Sequence, residues 1–196
     1  MYKTIAPLVL ASQSPRRHQL LSQMGVDFSV TSADIEEIQL SGEPASDFVA
    51  RMALEKAHAV EADYSDAWIL TADTIVVIDE QILGKPLDAA DACNMLARLA
   101  GRWHHVFTAF TLHHTGLRKT ITLTESSRVK IAALEKPVIA AYVDSGEPLD
   151  KAGSYAVQGL GGAFVEALEG CPTTVIGLPL PLVIAHLLER KIIALK

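Results

Sequence analysis

Leu8-Val9-Leu10-Ala11-Ser12-Gln13-Ser14-Pro15-Arg16-Arg17 is the stretch that decides how the rest of the chain is read. Its first four residues form a continuous apolar run of the length of a buried strand. Ser14 followed by Pro15 is a helix start, because serine suits the N-cap and proline's fixed φ suits the first helical position. A strand passing directly into a helix is the building unit of an α/β fold. The helix N-terminus offers free N–H donors and the positive end of the helix dipole. Two arginines in that first turn are unfavourable for the helix alone, so the junction calls for an anion, and a phosphate is the natural guest.

Working outward, strand and helix patterns alternate. Pro15–Met24 is a helix ending at Gly25, and Phe28–Ser32 is a second strand. Ala45–Ala62 carries Phe48, Val49, Met52, Ala53 and Val60 at helical spacing. Trp68–Leu70 and Ile75–Ile78 read as two strands around the insertion Thr71-Ala72-Asp73-Thr74, with a turn at Asp79-Glu80-Gln81. Asp88–Leu99 is a helix terminated by Gly101. Trp103–His113 and Ile121–Lys130 form a long hairpin around Gly116. Lys136–Val143 is a short helix, Gly153–Gly162 a glycine-rich loop, Phe164–Leu168 a strand and Leu178–Glu189 a closing helix. Together they predict an α/β domain with a mixed sheet, and no linker divides residues 1–196.

Composition bounds the function. At 196 residues, 49% hydrophobic and 20% charged, the chain has the make-up of a soluble globular protein. No apolar stretch approaches the length needed to span a bilayer, and the first seven residues do not form a signal peptide. Two cysteines, Cys93 and Cys171, show no metal or redox spacing, so a cytoplasmic setting with reduced thiols is expected. A net charge of −6 argues against broad nucleic-acid binding but leaves room for a nucleotide held in a local positive pocket.

Several charges sit in unusual places. Lys56 falls on the apolar stripe of its helix, either as a snorkelling stem with an ammonium at the surface or as a phosphate ligand. Asp73 interrupts an apolar stretch, either as a turn residue capping a strand end or as a functional acid, a metal ligand or general base. Lys85-Pro86 follows Gly84, a pattern shared by ordinary turns and by backbone that passes close to a ligand. Gln158, among glycines, can both donate and accept, which suits the edge of a base. Glu36-Glu37 is an acidic pair whose functional reading requires Asp73 nearby. The adjacent pairs His104-His105 and His113-His114 lie on strands and point to opposite faces, which is poor metal geometry, so they read as structural. No Walker motif, ordered dinucleotide fingerprint or Ser–His–acid arrangement is present.

These oddities coincide in one family. Leu10–Arg17, Ile35-Glu36-Glu37, Glu55-Lys56-Ala57, Ala72-Asp73-Thr74, Gly84-Lys85-Pro86, Asp150-Lys151-Ala152-Gly153, Gln158–Gly162 and Gly177-Leu178-Pro179-Leu180 occur in the order seen in Maf proteins. Across roughly residues 7 to 190 the chain resembles these cytoplasmic nucleoside triphosphate pyrophosphatases. The resemblance implies one Maf-like domain over residues 1–196, an elongated mixed sheet with flanking helices and two lobes around a central cleft, as in inosine-triphosphate pyrophosphatases. It implies cleavage between the α and β phosphates of a nucleoside triphosphate, with a divalent cation (Mg²⁺, Mn²⁺ or Co²⁺). Asp73 matches the proton acceptor, with Lys56 and Lys85 as catalytic partners. Glu37 and Asp73 match the metal positions, and Ser12, Ser14, Arg17, Lys56 and Lys85 the phosphate-binding positions. Arg16, Thr74 and Gln158 match the residues that distinguish members acting on dTTP and UTP, where members preferring 7-methyl-GTP resemble Trp, Gln and Glu. A homodimer and a link to septum formation are likewise implied. The alternatives are 7-methyl-GTP or modified pyrimidine nucleotides as substrate, or a nucleotide-binding regulator of cell division.

Overall fold

The structure is a computed structural model describing residues 1–196, and it is a mixed α/β protein. Its strands are β1 (Tyr2–Thr4), β2 (Leu8–Ala11), β3 (Ser29–Thr31), β4 (Trp68–Ile78), β5 (Gln81–Leu83), β6 (Trp103–His114), β7 (Lys119–Ile131), β8 (Val165–Glu169) and β9 (Ile193–Leu195). Its helices are α1 (Pro15–Gln23), α2 (Ala45–Val60), α3 (Ala89–Leu99), α4 (Lys136–Asp144), α5 (Pro172–Ile176) and α6 (Leu180–Glu189). The main sheet runs β3-β2-β4-β6-β7-β8, with β5 paired to β4, while β1 and β9 form a separate antiparallel pair. The chain divides into two compact units, one of residues 1–73, 108–125 and 177–196, the other of residues 74–107 and 126–176. Strands β4, β6 and β7 each contribute a half to both.

In the first unit β2 lies parallel to both β3 and β4. All four β2 residues are buried, which is why the run is continuously apolar rather than alternating. Helix α2 buries Phe48, Val49, Met52, Ala53, Lys56, Ala57 and Val60, the predicted stripe with the lysine inside it. The Thr71 hydroxyl of β4 donates to the Ala53 carbonyl of α2 at 2.5 Å and is fully buried, fixing the strand against the helix one turn before Lys56.

The second unit is built around Val76, Ile78, Leu83, Leu96, Leu99, Val129, Ile131 and Tyr142. Asp88 caps α3 by accepting from the Asp91 N–H at 2.8 Å. Buried His104 meets the Tyr155 hydroxyl at 2.8 Å, and burial pushes its imidazole down to about 4, so it is neutral and structural as read.

The structure corrects the sequence in several places. Residues 68–78 form one strand, so Thr71–Thr74 is no insertion and Asp73 no turn residue. The expected turn at 79–81 is a tight reversal at Asp79 and Glu80, both at positive φ, and Gln81 already belongs to β5. The closing helix starts at Leu180, preceded by the separate short α5.

Candidate active site

In the first unit the sequence-predicted charges converge on Lys56. Its ammonium donates to Asp73 Oδ1 at 2.6 Å and pairs with Glu37 Oε1 at 2.6 Å. Lys56 and Asp73 are buried, whereas Glu37 is about half exposed, its side chain retaining 48% of its accessible area. The snorkelling reading of Lys56 therefore fails: its stem lies on the α2 stripe and its head stays inside, held by two acids. Burying a charge is costly unless it is paired and hydrogen-bonded, and both conditions hold here. Asp73 sits mid-strand in β4 for the same reason: α2 brings a cation to it.

The strand-to-helix junction supplies the next wall. Ser14 occupies the N-cap position with extended backbone, but its hydroxyl makes no capping bond. Ser12 does the local work instead, its Oγ accepting from the Ser14 N–H at 3.2 Å and from Arg17 Nη1 at 3.2 Å. Arg17 Nε donates to the Gly177 carbonyl at 2.7 Å, which orients the guanidinium. Burial pulls the Arg17 guanidinium below its ordinary value; Asp73 raises it, neighbouring Arg16 lowers it and Glu37 raises it. Part of the counter-charge demanded by two arginines in one turn thus comes from the protein's own acids. Arg16 Nε is buried without a hydrogen-bond partner, a donor at the helix start that a ligand acceptor would satisfy.

The loop that carries Glu37 is held from α2. Arg51 grips Glu43 through two bonds of 2.7 Å, meets Glu55 Oε1 at 3.0 Å and donates to the Ile38 carbonyl at 2.9 Å. The forked guanidinium matches a carboxylate while keeping a donor for the backbone. Nothing in the spacing of Arg51 distinguished it from a solvated helix charge, and Glu43 carried no signal either.

Thr74, Lys85 and Gln158 belong to the second unit. Lys85 is exposed, and its loop is tied down where the Gly84 carbonyl accepts from the Gly153 N–H at 3.0 Å. Gly153 has φ +68°, and a Cβ there would lie 2.9 Å from both γ-methyls of Val76, so only glycine fits. Two separate sequence motifs, Gly84-Lys85-Pro86 and Asp150–Gly153, are therefore one packed structure. Gln158 is exposed at the head of a loop whose backbone is gripped by Glu147. That carboxylate accepts from the Leu160 N–H and the Gly161 N–H, each at 2.9 Å, and from the Tyr142 hydroxyl at 2.8 Å. Burial raises the Glu147 carboxyl, but these three donors together with the charge of Lys151 outweigh it and hold the group below the ordinary carboxylate range. Gly159 has φ +119°, and a side chain on it would run into the same carboxylate. Sequence reasoning missed Glu147; the available signal was a glycine-rich loop whose amides had no assigned acceptor.

His114 packs edge-on against Trp68 and accepts from the Leu117 N–H, a structural role. His113 instead joins His58 and Glu61, three donors whose ligand atoms lie within 4.8 Å of one another and could hold a metal ion. Pair geometry within a strand does not register such a cluster, because His58 comes from α2 and Glu61 directly follows it.

The family model described as "Maf-like protein" matches residues 7–190. The chain belongs to the Maf family. Among curated relatives of this Maf chain, a dTTP/UTP pyrophosphatase of Desulfotalea psychrophila is 45% identical over 196 residues, covering 100% of both chains. One from Myxococcus xanthus is 49% identical over 183 residues, 93% of this chain and 91% of the relative. One from Hahella chejuensis is 49% identical over 177 residues, 88% and 87% respectively. No helix of the Maf chain is long and apolar enough to cross a membrane.

Proposed function

We propose that the protein is a nucleoside triphosphate pyrophosphatase that hydrolyses dTTP and UTP to the monophosphate and pyrophosphate. The observation that carries this reading is the convergence of Arg17, Glu37, Lys56 and Asp73 in a chain that shares 45–49% identity with proteins named for that activity. Asp73 accepts the proton of the water that attacks the α-phosphate. Arg17, Lys56 and Lys85, with the hydroxyls of Ser12 and Ser14, bind the phosphates and stabilise charge that develops as the anhydride bond breaks. Lys56 also orients Asp73, since its ammonium bonds one carboxylate oxygen.

Glu37 and Asp73 are suited to a hard divalent cation, because both are carboxylates and an oxygen of each converges on one point, 2.6 Å from the same ammonium. Bound there, Mg²⁺, Mn²⁺ or Co²⁺ would neutralise triphosphate oxygens and lower the pKa of water. Arg16, Thr74 and Gln158 choose the base. The carboxamide of Gln158 complements the donor N–H and acceptor carbonyls of uracil and thymine. The enzyme acts in the cytoplasm, as a monomer or homodimer, on free nucleotides rather than nucleic acid.

A nucleotide panel with pyrophosphate detection, run with each of the three cations, tests the reading. dTTP and UTP should exceed 7-methyl-GTP and the canonical purine triphosphates by at least tenfold in kcat/KM. Turnover of 7-methyl-GTP above dTTP would overturn the base assignment, and tight nucleotide binding without product over hours would overturn the enzyme assignment.

A further inference from the structure

We propose a second, separate cation site, a zinc-class site formed by His58, Glu61 and His113 at the end of α2. It goes beyond the pyrophosphatase reading and does not depend on it. His58 and Glu61 are three residues apart and so share one helix face. Glu61 follows the last residue of α2 and keeps helical backbone angles, which maintains that face. His113 comes from β6, with its ring 5.4 Å from that of His58 and inclined to it by 73°. Its Nε2 lies 3.0 Å from Glu61 Oε2. All three donor atoms fall within 4.8 Å of one another, against about 3.4 Å between tetrahedral ligands bound at about 2.0–2.2 Å, so small side-chain movements would close them on an ion.

The surroundings resemble those of a built metal site. A ligating histidine is normally fixed through its other ring nitrogen. His113 Nδ1 meets the Thr120 hydroxyl at 2.8 Å, leaving Nε2 turned toward Glu61. The Thr115 hydroxyl lies 3.1 Å from His113 Nε2 and 3.5 Å from the Glu61 carbonyl, bridging the two ligand-bearing segments. Two imidazoles and one carboxylate are a borderline donor set, suited to Zn²⁺ or Ni²⁺ over Mg²⁺. His58 is exposed and stands two residues beyond buried Lys56, about 200° around the helix, so the ligands face away from Asp73. Three protein ligands leave one position for water. The site would tie the end of α2 to the β6–β7 hairpin.

The test uses full-length protein stripped with a chelator and titrated with Zn²⁺ against a chromophoric competitor. One equivalent is expected per chain, with a Zn²⁺-dependent rise in Tm and, with Co²⁺, visible absorption bands. His58→Ala removes an exposed side chain, so the fold and the Mg²⁺-supported activity should persist while Zn²⁺ affinity falls at least about 100-fold. The double variant Glu37→Gln/Asp73→Asn should keep its zinc. Absence of stoichiometric Zn²⁺ in the wild type, unchanged affinity in His58→Ala, or loss of the equivalent in the double variant would each overturn the proposal. None of these outcomes bears on nucleotide hydrolysis, so the two readings fail separately.

Discussion

Asp73 in the first unit and Gln158 in the second are positioned by opposite means. Asp73 lies on a regular strand and is fixed by another side chain, the Lys56 ammonium, which comes from a regular helix. Gln158 heads an irregular segment whose backbone amides, not side chains, are captured by Glu147. Charges aligned by packed elements have few ways to move, which suits proton transfer and phosphate binding. A loop held by one carboxylate can change its side chains without disturbing the sheet, which suits the selection of a base. The roles proposed for the two residues, proton transfer and base selection, would correspond to these two styles of construction.

The largest effect that would sharpen the comparison is on Asp73. Asp73→Asn should lower kcat by about 10³-fold or more, while thermal unfolding stays cooperative at a lowered Tm, since buried Lys56 keeps only the Glu37 carboxylate. A variant within tenfold of wild type in pyrophosphate release would break the assignment. Gln158→Glu should cost about 10–100-fold in kcat/KM for dTTP and UTP and raise it for 7-methyl-GTP, read from the same panel. Equal losses on all bases would place Gln158 outside recognition.

Glu147→Gln retains shape but cannot serve two amides and a phenol equally, a loss of about 1–3 kcal/mol of local stability. KM for dTTP should rise about tenfold with kcat nearly unchanged, and amide exchange at 159–161 should quicken. The pH dependence has a definite sign. The folded carboxyl lies below its unfolded value, so its contribution is complete above about pH 4.3 and disappears as pH falls through the folded value. Loop protection in the wild type should therefore drop in acid, and Glu147→Gln should abolish that dependence. Arg51→Ala should be mildest, raising the Mg²⁺ concentration for half-maximal activity about threefold by loosening the loop that presents Glu37.

Much of this arrangement was legible in the sequence, for identifiable reasons. Residues 8–17 carry their own strand run and helix start, and α2 carries a long 3.6-residue period, so both were readable locally. The charges of the site stood out because Lys56 and Asp73 violate the apolar patterns around them. The same violation misled at β4: a carboxylate in an apolar run suggested a break, when its partner 17 residues earlier lets the strand continue. Three-residue strands such as β1, β5 and β9 are too short for any period, and β1 with β9 pairs segments from opposite ends of the sequence. Thr71, Arg51 and Glu147 were invisible because each is an ordinary residue whose importance lies in a backbone group that it satisfies.

Lys56 has one further consequence. Glu37 and Asp73 fold with their own counter-ion already in place, so their mutual repulsion is offset without a divalent cation. Assembly of this corner of the protein therefore needs no metal ion. With the cation requirement proposed above, magnesium starvation should silence turnover without unfolding the protein, leaving a dormant pool that resumes work when the ion returns.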